Sequence, residues 1–344
     1  MSVTLIFAAI FFFKGSQIST NNTILFLLGT QLCLEAGSLV FQNCRNCLIP
    51  ILYPNPNDIP RAHLWANVSS LTAAGIVPLF FLYILPHQEK IQTSWLVWVA
   101  AIDAVSFALS AYALFAVRHS PQLAEIENTN KITQTNKFVN QFKSGIRIIR
   151  KYPGVLRLLA FSFFYNLFLM GPFEIGHVTL LRKDLSLPPI ALAVNLLLFL
   201  VGILVGSLIA NTIWKHEHAN HFRRFSKSIL WDGLTFFPIC IFAYFKNSIA
   251  TEIFLPGLAA LFVFHYALVP FVRVSRLAGI QTLANKSDWS SILGFHTIAV
   301  EGASALSVVT VALFFPDVSG KNLLALGGLG ATLCGSLGLI LPKR

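Results

Sequence analysis

Apolar residues along this chain fall in blocks separated by short polar stretches. The blocks lie at about 3–13, 24–42, 66–85, 95–117, 155–172, 189–213, 228–246, 251–271, 291–315 and 322–341. A membrane helix needs about 20 apolar residues, and a transmembrane barrel would show short alternating segments instead. The pattern therefore predicts an all-α polytopic membrane protein with about ten transmembrane helices, the first of them short. Pro86, Pro153, Pro188, Pro189 and Pro316 punctuate the block edges. One polar stretch, 118–154, is longer and rich in Asn, Gln, Lys and Arg. It divides the chain into an N-terminal bundle over 1–117, a central loop over 118–154 and a six-helix bundle over 155–344.

The end of that loop, "KFVNQFKSGIRIIRKYPG", has helical periodicity. Phe138, Phe142, Ile146 and Ile149 share a stripe, and Lys143, Arg147, Arg150 and Lys151 fall elsewhere. A basic amphipathic helix of this kind lies in the membrane interface. A gating or partner-binding helix is the sharper alternative.

Composition strengthens the membrane reading. Of 344 residues, 55% are hydrophobic and 11% charged, against about 25% charged in soluble domains. The net charge of +11 does not point to nucleic acid, because the basic residues sit in loops and set topology. If 118–154 is cytoplasmic and each block crosses once, only Lys14, Lys90, Arg182, Lys183, Lys246 and Lys321 of the 25 Lys and Arg fall outside. Both termini are then expected in the cytoplasm, as for an integral protein of the cytoplasmic membrane. "MSVTLIFAAIFFFKG" has no basic n-region and no small-residue cleavage site, so no cleaved signal is expected.

Motifs narrow the chemistry. Cys44 and Cys47 form "CRNC", but no second pair or nearby His pair completes a metal site. They read as two cysteines at a helix end, and neither metal nor cofactor is expected. The chain lacks GxxxxGK[ST], GxSxG and HExxH, which argues against ATP-driven transport and against an enzyme.

Charge inside a bilayer is costly and usually faces a bundle interior or wet cavity. The candidate substrate- or proton-binding residues are therefore Glu35, Glu301, His265 and Asp103. Glu35 lies mid-span in "QLCLEAGSLVF", with no basic residue within a turn; a helix–helix hydrogen bond is the plainer role. Glu301 lies mid-span in "IAVEGASALS", just over a turn after His296, with small residues that permit close helix approach. His265, in "FVFHYALVP", is a possible relay or a simply hydrogen-bonded core histidine. Asp103 has Ser106 and Ser110 nearby and suits packing within the bundle. Glu174, beside Gly171 and Pro172, reads as an outer helix end. Asp232 reads as an inner helix end paired with Lys227 or Arg224.

Three stretches carry a family resemblance. "LIPILYPNPNDIPRAHLWANVSSLTAAGIVPLFFLYIL" resembles the segment joining the fourth and fifth helices of major facilitator superfamily exporters, in the enterobactin-exporter-like branch. The match is at Ile59-Pro60-Arg61-Ala62, with His63 where Asn is common. "WVAAIDAVSFALSAYALFAVR" is similar to that branch's sixth helix, with its core at Asp103 to Phe107. "FKSGIRIIRKYPGVLRLLAFSFFYNLF" resembles the start of the seventh.

That resemblance implies twelve helices as six plus six, so this chain, at four plus six, is expected to lack the first two. The family's signature loop between its second and third helices has no counterpart. Its repeat near Gly206 lacks the acidic anchor, and the motif of its fifth helix is reduced to Val77-Pro78. The resemblance further implies a monomeric secondary transporter that exports a small amphipathic molecule, a drug or siderophore, by alternating access. Glu35 and Glu301 would approach the cavity from opposite halves, with protons as the coupling ion and membrane lipid as the surround. A lysophospholipid transporter and a transporter-derived membrane protein without transport activity are the alternatives.

Overall fold

The computed structural model describes residues 138–188, 190–214, 221–285 and 288–341. It also describes Asn46, Leu48, Ile49, Leu52, Tyr53, 61–63, Trp65, Ala66 and Tyr112. The first four apolar blocks lie almost wholly outside the described residues, as do Glu35 and Asp103. The chain divides into two compact units, Met1–Leu52 with Ile84–Lys137 and Tyr53–Tyr83 with Phe138–Arg344. The long described helices all belong to the second unit.

Seven α-helices make up this described body: α1 Phe138–Arg150, α2 Pro153–Thr179, α3 Ile190–Trp214, α4 His221–Tyr244, α5 Thr251–Leu283, α6 Trp289–Phe314 and α7 Gly320–Ile340. No strand occurs among the described residues. The last six helices are long and apolar enough to cross a membrane, matching the six blocks expected after the central loop. The expected total of ten spans reaches beyond the described residues.

Within the bundle, α4 packs extensively on α7, α2 on α6 and on α7, and α5 on α3 and on α4. Neighbours therefore run α3, α5, α4, α7, α2, α6. Small residues permit the α4–α7 contact, as is usual where helices associate in lipid. A side chain at Gly328 would collide with Gly233 and Phe236 of α4.

Helix α2 corrects the sequence reading. The block at 155–172 was expected to end at Gly171-Pro172, yet the helix runs on to Thr179 and through a π-helical turn, Leu180–Asp184. Proline removes a backbone donor and disturbs the preceding turn, yet it is tolerated in membrane helices that pack against neighbours. Here the Gly171 N–H donates to Ser307 Oγ of α6 at 2.7 Å. A side chain at Gly171 would strike the Ser307 backbone, so glycine is what lets α6 come close enough. Glu174 is consequently not at a helix end but within α2, and exposed.

The ends are tied by side chains. Asp184 Oδ2 accepts from the Lys321 N–H at 3.0 Å, placing an acid at the N-terminus of α7. Lys246 Nζ donates to the Leu185 carbonyl at 2.7 Å. At the other face, Tyr152 Oη donates to Asp288 Oδ2 at 2.8 Å, which raises the Tyr152 pKa. Trp289 Nε1 lies 3.1 Å from both the Gln281 and Ala284 carbonyls. Buried His63, from the "IPRAH" stretch, lies with Nε2 2.8 Å from Gln281 Oε1.

Candidate functional site

Hydrocarbon cannot hydrogen-bond, so polar side chains in spans must find one another or face water. Two adjoining groups of such side chains stand out in the second unit.

The first group joins α2, α4 and α5. Asp232 on α4 is 1% exposed and His265 on α5 is 3% exposed. Tyr165 Oη on α2 donates to Asp232 Oδ2 at 2.7 Å. Asp232 Oδ1 has no hydrogen-bond partner but faces His265 Nδ1 at 3.4 Å. Thr235, one turn along α4, lies with Oγ1 2.6 Å from the Asp232 carbonyl and 2.9 Å from His265 Nδ1. A hydroxyl has one proton. Donated to the carbonyl, it leaves Oγ1 to accept from Nδ1–H of His265. That assignment turns the Nδ1 proton toward both Thr235 and the open Asp232 oxygen.

The second group joins α2, α3 and α5. Asn195 Nδ2 donates to Tyr266 Oη at 2.7 Å and lies 2.7 Å from His177 Nε2. Both amide protons are thereby used, and His177 accepts through Nε2. Asn195 Oδ1, by contrast, is buried without a hydrogen-bond partner.

Phe173 joins the groups. Its ring stacks on His177 at 5.5 Å between centroids and 11° between planes, and lies 5.7 Å from the His265 ring and 6.3 Å from the Tyr266 ring. Phe236 covers His265 at 4.3 Å. The result is an aromatic cage holding an acid, two histidines, an amide and two phenols. Its groups can hold or pass a proton, and can hydrogen-bond a polar group of a bound molecule.

Of the sequence candidates, the structure places His265 in this cage. Glu301 sits elsewhere, exposed on α6 and within electrostatic reach of Arg276 on α5. His296, a turn before it, is buried with Nε2 unpartnered. Asp232 is corrected: its oxygens face Tyr165 and His265, not the basic residues of its own first turns. Sequence reasoning passed over Tyr165, Thr235, Asn195, Tyr266 and His177. The available signal was spacing, since Asp232 with Thr235 and Phe236, and Phe173 with His177, stand three or four apart on one helix face.

No protein-family model matches this chain, and no curated protein matches it. A solved structure does. The crystal structure of a bacterial homologue of the iron transporter ferroportin, in its outward-facing state, superposes with TM-score 0.63. The match covers 98% of this chain and 79% of that one at 13% identity. The fold is major-facilitator-like. At so low an identity the likeness carries the fold alone, and the chain is an all-α polytopic membrane protein of that architecture.

Proposed function

We propose that this chain is a secondary active transporter of the major facilitator type, exporting a small amphipathic molecule such as a drug or siderophore across the cytoplasmic membrane. The observation that carries the reading is the buried cage at Tyr165, Asp232, His265 and Asn195 inside a major-facilitator-like bundle. Ionisable groups buried in a span are costly and mark pathways or relays, and transporters of this architecture bind near the midplane while two bundles rock around the site.

In this reading Asp232 and His265 hold the coupling proton. Phe173 and the aromatic rings around it face the apolar part of the substrate, and Asn195 Oδ1 accepts a hydrogen bond from its polar part. Glu301, beside Arg276, is a second position for a charged group, as are Glu35 and Asp103. The solved relative in fold is a homologue of an iron transporter; the aromatic rings that surround this cage favour an organic cargo here.

The test compares cells carrying the chain with a deletion strain. Export or resistance above the deletion strain, lost in Asp232→Asn, supports the reading. Export equal to the deletion strain across siderophores, drugs and lysophospholipids would leave the non-transporting alternative.

A further inference from the structure

We propose that the groove between α1, α2 and α6 binds an anionic phospholipid, one acyl chain in the groove and the phosphate on Arg147 and Arg150. The groove encloses about 470 Å³. Its walls are Ile146 and Ile149 of α1, Leu156 and Phe163 of α2 and Phe295 of α6, with Arg150 at its rim. From Leu156 to Phe163 it follows α2 for about 10 Å at 1.5 Å per residue. That direction leads from the N-terminal end of a membrane span into the hydrocarbon.

The groove is built by a specific contact. Helix α1 leans on α6 at Gly145, where any side chain would collide with the Phe295 ring, and Ile149 is buried beneath it. Docked this way, α1 presents Lys143, Arg147 and Arg150 as exposed residues, and Lys151 follows them. No acidic residue occurs between Lys131 and Arg157. Asp288, at the start of α6, is engaged by the Tyr152 hydroxyl.

An apolar slot with Arg150 at its rim and Arg147 exposed one turn earlier on the same helix is complementary to one molecule abundant around a membrane span, a lipid with a negative headgroup. Arginine pairs with phosphate through two parallel hydrogen bonds. Basic pockets at the ends of membrane helices recognise such headgroups. A zwitterionic lipid fills the slot equally well but gains less from the charge. The site does not depend on transport activity.

The experiment is native mass spectrometry of the full chain in detergent, titrated with phosphatidylglycerol or phosphatidylcholine of the same chains. Phosphatidylglycerol should be retained in preference, and each arginine should contribute about fivefold in affinity. Arg147→Gln with Arg150→Gln should bring retention down to the phosphatidylcholine level. Ala160→Trp fills the groove from an exposed position on α2, leaves the arginines in place, and should reduce retention of both lipids. Equal retention of the two lipids by the unaltered chain overturns the proposal. So does preferential retention that survives both variants, or a dimer mass that disappears with Ala160→Trp, which would make the groove an interface between copies.

Discussion

Two carboxylates lie well inside membrane helices of one bundle, and their surroundings are opposite. Asp232 is on α4, the most buried of the six spans, and Glu301 is on α6, the least buried. Asp232 receives the Tyr165 hydroxyl and faces His265 across three helices. Glu301 is exposed, with Arg276 as an electrostatic neighbour. In sequence the expectation runs the other way, with Glu301 mid-span and Asp232 at a helix end beside Lys227 and Arg224. The difference comes from packing. Helix α4 is held between α5 and α7, so anything on its inner face must find protein partners, whereas α6 leaves much of its surface open.

The contrast can be broken by substitution, the effects being read as unfolding free energies of the purified protein in detergent. Asp232→Ala should cost the most, about 3–5 kcal/mol, because it strands partners of a buried pair. Tyr165→Phe should cost about 1–2 kcal/mol, since one hydrogen bond onto a buried acid is lost. Thr235→Val should cost about 0.6 kcal/mol, the typical worth of an interhelical hydrogen bond in a membrane protein. Glu301→Gln, at an exposed position, should change stability by under about 0.5 kcal/mol. An equal cost for Asp232→Ala and Glu301→Gln would remove the distinction.

Legibility from sequence divides along the same line. The six spans after the central loop were legible because hydropathy is a local property, summed over about 20 residues. The extent of α2 was not, because Gly171-Pro172 signals a stop when only local rules apply. The contact made there in the fold, Gly171 N–H to Ser307, joins residues 136 apart. His265 was legible as a lone titratable group in an apolar block. Its partner was not: along α4, Asp232 has Lys227 and Arg224 for neighbours, while in the fold it meets Tyr165 from a helix 67 residues earlier. Asn195 and Tyr266 sit quietly in apolar runs, and only the crossing of α3 and α5 makes them a pair.

The central claim, that the Asp232–His265 pair carries the coupling proton, is tested most directly in proteoliposomes with an exported substrate and an imposed pH gradient. Asp232→Asn keeps an acceptor for Tyr165 but removes the titrating group. It should abolish gradient-driven accumulation while leaving exchange of preloaded substrate intact, and Glu301→Gln should retain gradient-driven accumulation. Gradient-driven accumulation by Asp232→Asn at the level of the unaltered chain would contradict the account.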